Sequence, residues 1–98
     1  MDEEVLAFLN DRRGASEAVR IRTFSVWLHN REVTVNVRDA GVGAPNRFMA
    51  EAYFAGTRGE DRHTGNDGYT LGNPDHTLQG ALDNIHWWQL EAEANVDK

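Results

Sequence analysis

Apolar residues recur at helical spacing near the amino end of the chain. Val5, Phe8 and Leu9 repeat every three or four positions behind a run of acidic residues, and Gly14 ends the pattern. Acidic residues suit the positive amino end of a helix, and glycine is common just past its carboxyl end. We therefore predict a helix over residues 3–13. Because its apolar stripe is narrow, we expect this helix to lie against a larger surface.

The next segments alternate between apolar and polar residues, which is the period of a β-strand. Residues 20–28 are rich in β-branched and aromatic side chains, with Arg22, Phe24 and Val26 on one face and Trp27 on the other. A short polar reversal follows, and then valines occupy every second position. The pattern predicts a β-hairpin with one face toward the core. The core-facing valines are Val33, Val35 and Val37.

Residues 47–55 fit two structures. As a strand they place apolar side chains on one face, whereas Pro45 and Gly56 stand where helices often begin and end. We favour the strand, because a two-stranded hairpin needs a third strand to become stable. The apolar face of this strand consists of Phe48, Ala50, Ala52 and Phe54.

The remaining sequence predicts a long loop followed by a second helix. Glycine and polar residues fill positions 56–68, and a short extended segment follows at 69–71. Helical spacing returns from Leu78 to about Leu90, with Asp75 or Thr77 as the cap. One face of this helix carries Leu78, Ala81, Leu82, Ile85, Trp88 and Gln89.

The order of these elements predicts a single α+β domain over residues 1–98. We expect a two-layer sandwich in which an antiparallel sheet of three or four strands packs against an amino-terminal helix and a long carboxyl-terminal helix. A chain of 98 residues is long enough for one hydrophobic core. It contains no cysteine, so this core is expected to be held by packing alone.

Charge is distributed unevenly along the chain. The sixteen acidic and ten basic residues give a net charge of −6. Eight acidic and two basic residues lie in positions 60–98, which therefore carry the whole excess. Such a surface repels a phosphate backbone and attracts a basic protein, so we expect a protein partner with a basic surface and no nucleic acid. The sequence has one basic cluster, which consists of Arg12, Arg13, Arg20 and Arg22. The nearby acidic residues Asp11 and Glu17 partly offset its positive charge.

No motif for a known chemistry is present. The sequence contains no phosphate loop, dinucleotide fingerprint, zinc motif or nucleophile elbow. We expect no metal or cofactor, since the histidine spacings match no ligand pattern; the four are His29, His63, His76 and His86. The alternative is a small ligand-binding protein or enzyme that uses the loop of residues 56–68 with His63 and Tyr69. The amino end has no signal-peptide pattern and no apolar run approaches the roughly 18 residues of a membrane span, so the expected location is the cytoplasm.

Trp87 is the main candidate for partner binding. In a helix of about 100° per residue that starts at Leu78, this indole falls opposite the apolar stripe, among polar residues. It either packs against the first helix or the tail of its own chain, or anchors another protein. We predict a non-catalytic domain that docks on a basic protein surface, with a second copy of the chain as an alternative partner. The predicted contact residues are Trp87, Asp83, Glu91, Asn84 and Trp27.

Residues 48–90 resemble the small HicB-like antitoxin domain. The matching segments are Ala50 to Tyr53, Asp67 to Thr70 and Thr77 to Ile85. They correspond to that family's strand, turn with "GY" segment and Thr-led helix. The resemblance implies a sheet with a helix and a protein that binds and neutralises another protein. Nine arginines against one lysine indicate a bacterial or phage origin, for which we expect an inhibitor or antitoxin-like protein. The order of elements is also similar to the double-stranded RNA-binding domain, but residues 75–77 lack that family's basic motif.

Overall fold

The computed structural model describes residues 2–14 and 18–96 of the chain. Its elements are α1 (Asp2–Asn10), β1 (Arg20–Leu28), β2 (Arg31–Asp39), β3 (Phe48–Phe54), a 3₁₀ turn (Gly59–Asp61), β4 (Tyr69–Leu71), α2 (Leu78–Asp83) and α3 (Trp87–Val96). The four strands form one antiparallel sheet in the order β1-β2-β3-β4. The predicted α+β class is confirmed, and residues 48–54 form a strand rather than a helix.

The hairpin of β1 and β2 organises the sheet. A two-residue loop joins its strands, and the first loop residue, His29, has a φ of 54°, which suits the positive φ of a type II′ turn. The register pairs Phe24 with Val35 and Val26 with Val33. Directly paired residues point to the same side of a sheet. We call this side the helical face, because α2 and α3 pack against it.

The core lies between the helical face of the sheet and the two carboxyl-terminal helices. The three valines of β2 are buried, as the alternation predicts. Register places the apolar residues of β3 beside them, and α3 covers both strands with Leu90 and Ala94. The buried apolar cluster consists of Val33, Val35, Val37, Ala50, Ala52, Phe54, Ile85, Leu90 and Ala94.

The prediction of one long helix from Leu78 to Leu90 is wrong. α2 begins as expected, where the Thr77 hydroxyl accepts a hydrogen bond from the Gly80 amide, but it ends at Asp83. After a turn at residues 84–86 the chain starts α3 at Trp87. The new helix changes which side chains of residues 87–96 face the core.

Contacts with β4 and the segment after it stabilise the turn between the helices. The Thr70 hydroxyl accepts a hydrogen bond from the His86 amide at 3.1 Å. The Asn84 side chain donates one to the Asn73 carbonyl at 2.8 Å. A Cβ atom at Gly72 would lie only 2.8 Å from the carbonyl carbon of Asn84, so the turn packs directly on the backbone of this glycine. These tertiary contacts outweigh the local preference for a continuous helix.

α1 lies at one side of the molecule and contributes no buried side chain. Val5, Phe8 and Leu9 are all exposed. It contacts the sheet through an ion pair between Asp2 and the Arg20 guanidinium, with an N–O distance of 2.5 Å. The expected packing of this helix on a larger surface is therefore wrong for the part of the chain that is described.

Candidate interaction groove

The helices leave most of β1 uncovered on the helical face. Phe24 and Val26 point to the same side of the sheet as the buried valines, because each pairs with one of them. Phe24 is nevertheless 54% exposed and Val26 is 40% exposed. The sheet thus presents an apolar strip that no side chain of residues 2–14 or 18–96 buries.

This strip and the neighbouring helices form an open groove of about 530 Å³. Strand residues make its floor, which includes Phe24, Val26, Val35 and Val37. Helix residues make its wall, which consists of Leu78, Leu82 and Trp87. All seven side chains are aliphatic or aromatic, so the groove favours apolar groups, and its volume lies within the range of ligand pockets.

Trp87 lies in the wall of this groove and not on a polar helix face. Its indole packs against the core cluster, and its ring nitrogen donates a hydrogen bond to the Leu82 carbonyl at 3.0 Å. The sequence prediction of an outward indole at this position is therefore wrong. The physical reason is the break at residues 84–86, which rotates α3 relative to the continuous helix that the spacing predicts.

The outward indole of α3 belongs to Trp88, which is 68% exposed. Its ring stacks with that of His86, with the ring centroids 5.7 Å apart. Among the other predicted contact residues, Asp83 and Glu91 are exposed, on α2 and α3 respectively. Asn84 is half-buried, and its side chain stabilises the turn between the helices. Sequence reasoning had placed Trp88 on the apolar face and so missed it.

Trp27 lies on the opposite face of β1 from the groove. It is 64% exposed, and Ile21 on the same face is also exposed. The structure therefore does not bring Trp27 together with Trp87, which lines the groove on the other face of the sheet. β1 presents apolar side chains on both of its faces.

One end of the groove is positively charged. Arg20 and Arg22 lie there, and the carboxylate of Asp39 lies beneath Arg20. Arg47 contacts both carboxylate oxygens of Asp39, at 2.6 Å from Nε and 2.9 Å from Nη2. Arg22 forms no ion pair with any described residue. The two other arginines of the predicted cluster lie after α1, where Arg12 stacks over the ring of Phe8; Glu17 lies outside the described residues.

Asp39 is the buried residue whose carboxylate forms ion pairs with Arg20 and Arg47. The residue is 5% exposed, and its carboxylate also accepts a hydrogen bond from the Gly41 amide at 2.9 Å. Hydrogen bonds from Arg47, the Gly41 amide and Arg20 hold the pKa of Asp39 well below its usual range, against the opposing effect of burial. The carboxylate thus fixes the Arg20 guanidinium at the end of the groove and pairs with Arg47 outside it, while Arg22 stays available to a partner.

In the alternative site at residues 56–68, the structure gives His63 and Tyr69 separate hydrogen-bond partners. The ring nitrogens of His63 lie near the Thr64 carbonyl and the Asn66 amide of the same loop. Tyr69 is buried, and its hydroxyl donates to Glu51 at 3.0 Å. The polar atoms of His63 and Tyr69 are thus engaged with different partners.

Tyr69 gives the protein a testable pH dependence. Burial, with the hydrogen bond to Glu51, raises the pKa of Tyr69 to about 12, above the 10.0 of a free tyrosine. Because folding raises this pKa, the protonated hydroxyl stabilises the folded state. This contribution is fully present below pH 10 and is lost as the pH rises toward 12. We expect Tyr69→Phe to be less stable than the wild type by about 1 kcal/mol at neutral pH. Urea unfolding should show this gap narrowing above about pH 10; an unchanged gap would contradict the assignment.

The described residues contain no group of three or more histidine, aspartate or glutamate side chains that could hold a metal ion. None of the helices in this part of the chain has the length and apolar character that a bilayer crossing requires.

No family model, curated protein sequence or solved structure matches this chain. The resemblance of residues 48–90 to the HicB-like domain therefore stays a prediction. What the protein does has to be inferred from the groove and the surfaces around it.

One signal in the sequence could have located the groove. Arg20 and Arg22 share a strand face with Phe24 and Val26. Charged side chains are almost never fully buried unless they are paired. A strand face that mixes arginine with apolar residues is therefore one that the protein's own helices do not close.

Proposed function

We propose that this protein is a non-catalytic protein-binding domain that takes up the apolar face of a partner's amphipathic helix in the groove between β1 and α2. The observation that carries the proposal is the exposed apolar strip of Phe24 and Val26, walled on one side by Leu82 and Trp87. An amphipathic helix laid in an apolar groove is a recurring mode of peptide recognition. A helix with its side chains is about 10 Å across, and an open groove on a sheet can accept one.

The charge of the groove specifies the partner further. Arg22 has no ion-pair partner among the described residues, and Arg20 lies beside it at the same end. A partner helix that fits would carry apolar residues at positions i, i+3, i+4 and i+7, with acidic residues at one end. The predicted basic partner does not suit this site, because like charges would meet at Arg20 and Arg22.

A second candidate surface suits a basic partner. Trp88 is exposed on α3, and Glu91 lies one turn further along the same helix, three residues away. Tryptophan is prominent among the residues that dominate binding energies, and the acidic excess of residues 60–98 would attract a basic surface. Docking here would match the inhibitor or antitoxin-like role that the resemblance implies.

A charge-swap experiment tests the groove. The probe is a fluorescently labelled synthetic helix with an apolar stripe and two glutamates at one end, and its matched control carries lysines at those positions. We expect fluorescence anisotropy to show that the glutamate peptide binds at least about tenfold more tightly, which is about 1.4 kcal/mol. Arg22→Glu should reverse this preference.

Two variants in the first turn of α2 locate the binding. Leu78→Glu places a charge in the wall of the groove and should abolish peptide binding, whereas Gln79→Glu adds the same charge at the next exposed residue, outside the groove, and should leave binding unchanged. Equal losses in both variants would contradict the proposal. Tighter binding of the lysine peptide that is lost in Trp88→Ala would favour the second surface instead.

A further inference from the structure

The outer edge of β1 is a long strand edge without a partner in the described chain. β1 is the first strand of the sheet and runs for nine residues, whereas β4 at the other edge has three. Natural sheets usually protect such edges with proline, inward-pointing charges, bulges or a covering segment. β1 contains no proline or lysine, and its charged residues, Arg20 and Arg22, lie at one end.

The backbone of β1 points alternately toward β2 and toward this edge. The Glu32 carbonyl accepts a hydrogen bond from Ala55, so the backbone groups of Glu32 point toward β3. Its register partner Trp27 therefore turns its own N–H and C=O away from β2, toward the edge. By alternation the same holds for Ile21, Thr23 and Ser25. Within residues 2–14 and 18–96, no hydrogen bond uses these outward groups.

We propose that β1 pairs antiparallel with β1 of a second copy of the chain, in the register that places Phe24 opposite Phe24 on a two-fold axis. Phe24 is the middle residue of β1, so this register overlaps all nine residues. It also matches the outward backbone groups of one copy with those of the other. The result is a continuous sheet of eight strands and an isologous dimer.

The side chains of β1 are complementary to themselves in this register. On the face opposite the groove, Ile21 meets Trp27 twice, and Thr23 meets Ser25. These pairs join apolar with apolar and hydroxyl with hydroxyl side chains, as cross-strand pairs in stable sheets do. On the helical face Arg22 lies opposite Val26, so no arginine faces an arginine. A shift by two residues in either direction would lose part of the overlap and separate Ile21 from Trp27.

The dimer accounts for the exposed apolar side chains on both faces of β1. It covers Ile21 and Trp27 on one side of the sheet, and on the other it places the two Phe24 rings side by side, with their outer faces still open to the grooves. The two grooves would then lie next to each other on the same face of the eight-stranded sheet. This inference does not depend on what the groove binds, because it rests on the edge and not on the groove wall.

Cysteine scanning tests the register directly, since the chain has no cysteine of its own. Facing residues in a non-hydrogen-bonded antiparallel pair have Cα atoms about 4.5 Å apart, within the range of a disulfide. We expect Phe24→Cys to form an interchain disulfide rapidly on mild oxidation, seen as a dimer on non-reducing gels. Val26→Cys is the matched control, because its two thiols would be offset by four residues, about 13 Å. Equal rates of cross-linking in the two variants would overturn the proposal.

Sedimentation equilibrium tests the dimer without a cross-link. At about 100 μM, where a dimer with a micromolar dissociation constant is nearly complete, the wild type should sediment at twice the 11.0 kDa of the chain. Trp27→Lys should raise the dissociation constant at least about tenfold. Val42→Lys, at an exposed apolar residue outside β1, should leave it unchanged. Circular dichroism melts would confirm that each variant is folded. A monomer at this concentration, or a dimer in which Phe24→Cys does not cross-link, would overturn the proposal.

Discussion

Replacing Asp39 by asparagine is expected to lower the free energy of unfolding by about 3 kcal/mol at neutral pH, because it removes the buried carboxylate on which an ion-pair cluster is centred. The carboxylate lies under the charged end of the groove and contacts both Arg20 and Arg47. Asparagine keeps the shape of the side chain but removes its charge, so Arg47 loses its ion pair with Asp39 and Arg20 keeps the one with Asp2. Urea unfolding followed by circular dichroism measures the change.

The free energy of unfolding of Asp39→Asn should also depend less on pH in the acid range than that of the wild type. Arginine hydrogen bonds hold the pKa of Asp39 below its usual range, so this carboxylate contributes stability above about pH 4 that is lost as the pH falls further. The gap between the wild type and Asp39→Asn should therefore narrow between about pH 5 and pH 2. Asp83→Asn, at an exposed position, is the matched control and should change stability by no more than about 0.5 kcal/mol. A gap that is constant over this pH range would show that the charge of Asp39 does not stabilise the fold.

The sheet could be predicted because its signals are local. Alternation around Val35 identifies the buried face of β2, and the polar reversal at residues 29–31 places the hairpin loop within one residue. The strand at residues 48–54 follows from the same reasoning, since a hairpin with a buried face needs a neighbour. In each case the period of two in the sequence matches the burial of side chains in the structure.

The break between α2 and α3 could not be predicted from helical spacing. Residues 84–86 have no proline or glycine that would end a helix. The turn is held by contacts with Thr70, Gly72 and Asn73. Each of these residues lies at least eleven positions before the turn residue that it contacts. Helical periodicity describes contacts within one helix and carries no information about such distant partners. For this reason the prediction that the Trp87 indole faces outward is wrong.

The sequence predicts on which strand face or helix face the groove residues lie, but it does not predict that they form a groove. The sequence places Phe24 and Val26 on the same strand face as the core valines and assigns Leu78 and Leu82 to the apolar face of a helix. Sequence alone does not say that two short helices cover less of the sheet than one long helix would. That Phe24 and Val26 stay exposed beside α2 is seen only in the folded structure.

Replacing Leu90 by alanine is expected to lower the free energy of unfolding by about 3 kcal/mol, in the middle of the range for leucine in a closed core. Leu90 is fully buried, with 0% exposure, and it is one of the two largest side chains that the described core encloses completely. It belongs to the cluster in which α3 packs on the sheet. The alanine variant would leave a cavity under α3, which urea unfolding and a lower melting temperature would reveal.

Trp88→Ala is the matched control on the same helix, and the two variants together test the break between α2 and α3. In the structure the Trp88 indole is exposed and outside the core, so its removal should change stability by no more than about 0.5 kcal/mol. In one continuous helix from Leu78 the same indole would lie on the apolar face, and its loss would cost about 3 kcal/mol or more. A large loss for Trp88→Ala with a small one for Leu90→Ala would therefore contradict the orientation of α3 and, with it, the wall that Trp87 gives to the groove.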